Sequence, residues 1–165
     1  MSESLLPADL ADLAARVIAA NRSAGRIVAL AESCTGGLVA TALTDVPGSS
    51  AVLDRAFVTY SNESKQEMLG VSAEIIETFG AVSIACAWAM AQGAIKHSRA
   101  DVTVAVSGIA GPDGGSAHKP VGTVVFARAV RGSDEILAEE RFLDGGTRAE
   151  IRRQAALVAL ELLLP

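Results

Sequence analysis

Three short stretches of the chain gather hydroxyl, amine and glycine groups in patterns suited to acyl transfer or anion binding. The first is Glu32-Ser33-Cys34-Thr35-Gly36-Gly37. It follows an apolar run and opens a helical one, so its backbone N–H groups can face an anion or a developing oxyanion. Gly36 and Gly37 permit a tight turn with close backbone approach. A plainer reading, a strand–helix turn with small polar caps, accounts for the same residues. The second is Tyr60-Ser61-Asn62-Glu63-Ser64-Lys65, where Tyr60 is the only tyrosine of the chain. Lys65 falls about one turn into the next helix. A lysine there is commonly a solvated charge; beside strand-end hydroxyls it is also a candidate proton carrier. The third runs from Ser107 to Gly115 and on through His118-Lys119-Pro120-Val121-Gly122. Five glycines between residues 108 and 122 exceed what a plain connection needs, and long loops of this kind are often binding loops.

These stretches need a scaffold, and the hydrophobic spacing supplies one. Leu10, Leu13, Ala14, Val17, Ile18 and Asn21 follow the helical i, i+3, i+4, i+7 rhythm, with Gly25 as the stop. Residues 26–31 form an apolar run without alternation, as a buried strand does. Residues 38–43 read as a helix and 56–60 as a strand. Asn62 is expected to cap a helix that contains Lys65 and closes at Gly70. Residues 73–79 and 83–98 are helical in pattern, broken at Gly80, and 101–106 is another buried strand. Residues 122–130 and 135–142 flank Arg131-Gly132-Ser133-Asp134, a hairpin signal. Thr147-Arg148-Ala149-Glu150 is a capping-box signature before 151–164. The alternation, without repeat or linker, predicts one layered α/β/α domain over residues 1–165, with its core from about 8 to 162. Its sheet is expected to be mixed and mostly parallel, with a C-terminal β-hairpin followed by a helix. The polar stretches then fall at the C-terminal ends of buried strands, where open α/β sheets place their ligands.

Composition narrows the chemistry. Half of the 165 residues are hydrophobic but only 4% are aromatic, and 31 alanines make up the difference. Such a core implies closely approaching helices and strands. Fourteen Lys and Arg against nineteen Asp and Glu give a net charge of −5. That argues against nucleic acid or a membrane surface as partner, since both call for a basic face. A local arginine can still hold one phosphate group. No apolar run approaches the roughly 18 residues of a membrane span, and the acidic segment 1–13 does not read as a signal peptide. Two cysteines make no disulfide framework, and a cytoplasmic location is the simplest reading. His97 and His118 lack metal-ligand spacing, so neither a metal nor another cofactor is expected. Phosphate-loop, dinucleotide and Gly-x-Ser-x-Gly signatures are missing, and two histidines leave a Ser–His–Asp triad poorly supplied. Cys34 has no histidine in its motif to activate it and reads as packed.

Glu32–Gly37, Pro47-Gly48-Ser49-Ser50, Val58-Thr59-Tyr60-Ser61-Asn62 with Lys65, Gly80-Ala81-Val82-Ser83, Ser107–Gly115 and Lys119–Gly122 together resemble, in order, the motifs of the CinA C-terminal domain family. The resemblance implies an amidase that hydrolyses nicotinamide mononucleotide to nicotinate mononucleotide and ammonia. It implies this activity without the N-terminal molybdopterin-binding-like domain of longer members. Position by position, it makes Ser33 the nucleophile, with Tyr60 and Lys65 handling protons. Backbone N–H groups at Thr35 and Gly36 would serve the oxyanion, and Ser50 would assist by hydrogen bonding. Glu32 would orient Ser33 or the ring amide, while Ser107 and Gly108 would line the nicotinamide or ribose pocket. Arg148 would hold the 5′-phosphate at the start of the last helix, where the helix dipole also favours an anion. Arg152 and Arg153 read as solvated. Homo-oligomers, most often dimers, are implied as well.

One physical demand goes with this reading. A lysine serves as base only in its neutral form, which at the reference pKa near 10.4 is about one molecule in a few thousand at pH 7. An apolar, water-poor site can lower that pKa. The alternative is a non-catalytic nucleotide-binding or regulatory module built from the same loops, with Ser33 a turn residue.

Overall fold

A computed structural model describes residues 3–165; Met1 and Ser2, where the expected domain and the acidic N-terminal segment begin, lie outside the described residues. The elements follow the order α1 (Ala8–Ala24), β1 (Val28–Glu32), α2 (Leu38–Thr44), β2 (Leu53–Val58), α3 (Asn62–Leu69), α4 (Ala73–Phe79), α5 (Ile84–Lys96), β3 (Val102–Gly108), β4 (Thr123–Val130), β5 (Leu137–Phe142) and α6 (Arg148–Leu162), with one 3-10 turn at Ser49–Ala51. Helix α1 buries Leu10, Leu13, Ala14, Val17, Ile18 and Asn21, the residues picked out by their spacing. Gly25 ends it at φ 66°, a conformation that penalises a Cβ.

The strands lie in the order β2-β1-β3-β4-β5. β1 pairs in parallel with both β2 and β3, and β4 pairs antiparallel with β3 and β5. Four strands thus point one way and β4 alone is reversed, which is the mixed, mostly parallel sheet the sequence predicts. One face carries Leu30, Val104, Val106, Val124 and Phe126 against α1, α2 and α6. The other carries Ala31, Ala105, Val125 and Ala127 against Ala87, Met90, Ala91 and Ala94 of α5. Alanine on both sides of that second interface lets α5 lie close to the sheet. Gly93 of α5 goes further: a Cβ there would stand 2.0 Å from the Leu69 carbonyl at the end of α3. No helix among the described residues is long and apolar enough to cross a membrane.

Element boundaries shift where side chains draw the backbone away. β1 starts two residues later than expected because Arg26 turns to Asn21 Oδ1 (2.9 Å) and the Leu163 carbonyl (2.8 Å). β2 ends at Val58 rather than residue 60. The cap of α3 is Ser61, not Asn62: its hydroxyl accepts the Ser64 N–H at 3.1 Å, from the extended backbone that an N-cap requires (φ −84°, ψ 160°). At α6, Thr147 Oγ1 accepts the Glu150 N–H at 3.1 Å, but the Glu150 carboxylate turns to Arg153. Only half of the predicted capping box forms.

Candidate active site

Parallel register brings three strand ends to one edge. Glu32 is paired with Val58 on one side and Val106 on the other, so the residues just beyond each strand become neighbours. Ser33 continues the ladder by donating its N–H to the Val106 carbonyl at 2.9 Å. The edge opens into a cleft of about 230 Å³ bordered by Ser33, Cys34, Tyr60, Lys65, Ser107 and Arg148. A larger hollow of about 410 Å³ lies between β4, β5 and the end of α6, among Phe126, Arg128, Leu137 and Leu162. That hollow is lined by Glu139 and Glu161 but by no hydroxyl, thiol or amine, so size does not decide the site here; chemistry does.

Lys65 is the anchor of the cleft. It is only 1% exposed, and its Nζ lies 3.0 Å from Ser33 Oγ, 2.7 Å from the Thr59 carbonyl and 3.4 Å from the Tyr60 carbonyl. As an ammonium the group donates to all three oxygens; once it is neutral, the two carbonyls, which only accept, take its two N–H groups and its lone pair is left for the Ser33 hydroxyl. Among the described residues no carboxylate lies in ion-pair range of this amine. Burial therefore holds Lys65 below the usual lysine range. The thiols of Cys86 and Cys34 act in the other direction, but only when ionised. Burial raises the pKa of Cys86 and pushes Cys34 up to about 12. Cys34 thus stays a thiol at neutral pH, a poor nucleophile beside a better-placed serine.

The turn after Ser33 is held from inside and outside. Gly36 and Gly37 take φ 59° and 101°, which a side chain would resist. The Gly36 N–H donates to the Ser33 carbonyl at 3.0 Å, so it is not the free oxyanion donor that the motif suggests. The N–H groups of Cys34, Thr35 and Gly37 have no hydrogen-bond acceptor among the described residues; of the three residues only Cys34 borders the cleft, and Thr35 is fully buried. Glu32, fully buried, accepts from Thr35 Oγ1 at 2.6 Å and from the N–H groups of Val39 and Ala40 at 3.1 and 3.0 Å. It is an anchor for the start of α2 rather than a substrate ligand. The reason is local: a helix start has unpaired N–H groups, and Gly37 has no side chain to receive them.

Other expected residues fall differently. Tyr60 is 64% exposed, and its hydroxyl accepts from Arg148 Nη2 at 3.1 Å; it meets Lys65 through its carbonyl, not its phenol. Arg148 also donates from Nη1 to the Gly111 carbonyl at 2.8 Å, which ties the glycine-rich loop to α6. Ser107 Oγ donates to the Ala81 carbonyl at 3.0 Å, and Gly108 borders the cleft. Ser50 lies at the opposite end of the sheet. It precedes β2, where the Val52 carbonyl accepts from Val28 at the start of β1, and five residues of strand (roughly 16 Å) separate that end from Ser33. Within one chain it is not part of the cleft.

Two arginines read as solvated are not. Arg153 pairs with Glu150 and Asp9. Arg152 donates from Nε to the Cys34 carbonyl and from Nη2 to the Thr35 carbonyl, each at 3.1 Å. Its i+4 spacing from Arg148, which puts both on one face of a helix, was the available signal. A Ser-x-x-Lys spacing at Ser116 and Lys119 makes no amine–hydroxyl pair, because the Lys119 Nζ donates to the Phe79 carbonyl at 2.8 Å. No three His, Cys, Asp or Glu side chains gather as a metal-ligand group among the described residues.

Fold and site together define a class of small α/β protein in which a serine hydroxyl at the C-terminal edge of a mixed sheet meets a buried amine in place of a histidine. The chain belongs to the CinA C-terminal domain family, whose model matches residues 10–165. It is 50% identical over 155 residues to the nicotinamide-nucleotide amidohydrolase PncC of Enterobacter agglomerans, covering 94% of this chain and 93% of the other. It is 51% identical over 142 residues to a CinA-like protein of Syntrophobacter fumaroxidans, covering 86% of this chain and 33% of that longer one. The crystal structure of the competence/damage inducible protein CihA from Agrobacterium tumefaciens superposes with a TM-score of 0.93 at 52% identity, covering 98% of this chain and 97% of that one.

Proposed function

We propose that this protein is a nicotinamide-nucleotide amidohydrolase that converts nicotinamide mononucleotide and water to nicotinate mononucleotide and ammonia. The observation that carries the reading is the 3.0 Å contact between Ser33 Oγ and the buried Lys65 amine. The amidohydrolase relative at 50% identity supports the substrate class. In the first half-reaction Ser33 Oγ attacks the carboxamide carbon while its proton passes to neutral Lys65. Backbone N–H groups of the turn that follows Ser33 receive the tetrahedral oxyanion. As the C–N bond breaks, the Lys65 ammonium gives its proton to the departing nitrogen, which leaves as ammonia. Water then attacks the ester on Ser33, gives a proton to Lys65, and releases the carboxylate as Ser33 regains its own. Arg148, at the start of α6, holds the 5′-phosphate with help from the helix dipole. Tyr60 steadies Arg148, while Ser107 and Gly108 line the ring end of the cleft.

The same proposal places the whole activity in one domain over residues 1–165. It also holds that the chain works as a homo-oligomer, most often a dimer. The resemblance to the family supports this, and exposed apolar side chains such as Phe79 and Phe142 leave surface that another copy can cover. Two buried, unpaired thiols suit a cytoplasmic protein.

The test is steady-state ammonia release from nicotinamide mononucleotide and from its phosphate-free riboside. The expected result is a preference for the mononucleotide of about tenfold or more, from loss of a charge-assisted contact worth about 1.5–3 kcal/mol. Ser33→Ala, with its fold intact, is expected to release no ammonia. Near-normal turnover in that variant, or no release by the wild type, overturns the reading.

A further inference from the structure

The fold buries the Lys65 amine and supplies no counter-ion for its charged form. The oxygens around Nζ are those of Ser33, Thr59 and Tyr60, all neutral, and among the described residues no carboxylate pairs with it. Glu32, next to Ser33 in the chain, is turned to Thr35 and the start of α2. Glu63 and Glu67 of α3 itself are exposed. Groups on the other elements do not fill the gap. Cys86 of α5 and Cys34 after β1 are thiols at neutral pH, because burial raises both. The Tyr60 phenol faces Arg148, and Arg148 of α6 and Lys119 of the glycine-rich loop are themselves cations. A buried ammonium without a partner is disfavoured. Lys65 nevertheless borders the cleft, so a carboxylate that enters from solvent can supply the missing charge.

The hydrolytic half-reaction delivers such a group to this place. The water oxygen bonds to the acyl carbon, the bond from that carbon to Ser33 Oγ breaks, and one water proton returns to Oγ. The other water proton ends on Lys65. Ester, water and neutral amine thus become carboxylate, serine hydroxyl and ammonium, with atoms and charge in balance. The new carboxylate oxygen is the one that Lys65 deprotonated, so it forms within hydrogen-bond reach of Nζ. The amide that entered is neutral at this group and offers no such partner. We propose that the cleft is a carboxylate site, in which nicotinate mononucleotide pairs with the Lys65 ammonium and so inhibits the protein. The proposal rests on the amidohydrolase reading and adds to it a regulation of the same site by its acid product. The sign with pH follows. Burial lowers the pKa of Lys65, whereas an opposite charge beside it raises that pKa. Between the two values binding of the acid takes up a proton. Turnover needs the neutral amine and product retention needs the ammonium, so inhibition strengthens as pH falls.

The probes are nicotinate mononucleotide and nicotinamide mononucleotide. They share the ribose 5′-phosphate, so its own protonation near about pH 6 cancels in the ratio of their affinities. Both are titrated by calorimetry into the full chain carrying Ser33→Ala, which does not turn over the amide, at steps between about pH 6 and 10. The advantage of the acid over the amide should be flat below the folded pKa of Lys65. Above it the advantage should fall about tenfold per pH unit, by about 10- to 1,000-fold in all, the range for an opposite charge in close contact. In the wild type, enthalpies in two buffers of different ionisation heat should show proton uptake with the acid over the same falling range. Lys65→Met should remove both the slope and the uptake. A ratio that stays constant across the range overturns the proposal, as does acid binding without proton uptake. A slope that survives in Lys65→Met also overturns it, since another group then titrates. If Lys65→Met does not fold, Cys34→Ala, Cys86→Ala and Tyr60→Phe decide: a slope kept in all three assigns it to the amine, and a slope lost in any one refutes the assignment. Wild-type ammonia release is measured first, since its absence overturns the amidohydrolase reading and the carboxylate site together, whereas the other outcomes sink the carboxylate site alone.

Discussion

Replacing Lys65 with methionine, a side chain of similar length that holds no proton, separates the chemistry of this residue from its packing. In the wild type the amine is 1% exposed, and burial lowers its pKa. In the unfolded chain the same group titrates near 10.4. Between the folded pKa and about 10.4 the unfolded state therefore carries one proton more than the folded state. Stability rises with pH through that window by about 1.4 kcal/mol per unit. Below the folded pKa both states are charged, and the full cost of burying the cation is present. Lys65→Met removes this dependence at every pH. The buried thiols act oppositely: their pKa values are raised in the fold, so stability falls as pH climbs above about 8.5. They are common to both proteins, and the difference between wild type and variant isolates Lys65.

Urea unfolding of both proteins at steps between about pH 6 and 9 gives that difference curve. It should slope by up to about 1.4 kcal/mol per unit above the folded pKa of Lys65. The variant also leaves the Thr59 and Tyr60 carbonyls without their amine, a cost of about 1–3 kcal/mol. That cost offsets the curve without tilting it. In an ammonia-release assay the variant should lose about 10²–10⁴-fold in kcat, the range for a general base. The wild-type rate should fall about tenfold per pH unit below the folded pKa, as the amine takes up its proton. A flat difference curve, together with variant activity above about a tenth of wild type and the same acid limb, refutes the assignment.

Glu32→Gln keeps the shape of the buried carboxylate but removes its charge and turns one acceptor into a donor facing the start of α2. It should cost about 2–3 kcal/mol in urea unfolding while KM changes by less than about threefold; a large rise in KM at unchanged stability would return Glu32 to the substrate. Gly93→Ala places a Cβ 2.0 Å from the Leu69 carbonyl, and backbone on both sides has little room to yield. A loss of about 1–3 kcal/mol, read by thermal melts, should come with reduced kcat because α3 also carries Lys65. An unchanged melting temperature would mean that α3 and α5 have slack between them.

The local features of this protein are legible along the chain. The burial stripe of α1, the stops at Gly25 and Gly70, the hairpin around Gly132 and the cap at Thr147 each depend on residues within a turn or two of one another. Ser33 and Lys65 are legible as candidates, because hydroxyls and an amine beside strand ends are an uncommon arrangement. Arg152 is legible in principle from its i+4 spacing to Arg148, but the fact that its target is a pair of carbonyls, not solvent, is not. Main-chain acceptors carry no mark in the sequence.

By itself, the sequence determined which segments become helices and strands, which faces are apolar, and which side chains are candidates for acyl transfer or anion binding; amide hydrolysis came with the family resemblance. Tertiary structure decided which of those side chains meet. Ser33 and Lys65 stand 32 positions apart and touch because β1 and β2 run parallel and end together. Ser50, in a motif of the same family pattern, is carried to the far end of that sheet by the same register. Glu32 turned inward because α2 begins over it with N–H groups that need an acceptor. Tyr60 turned outward because the chain leaves the sheet after Thr59. Spacing sets local geometry through short covalent connections. The partner of a polar group is set by which acceptors remain unpaired nearby once the layers have packed.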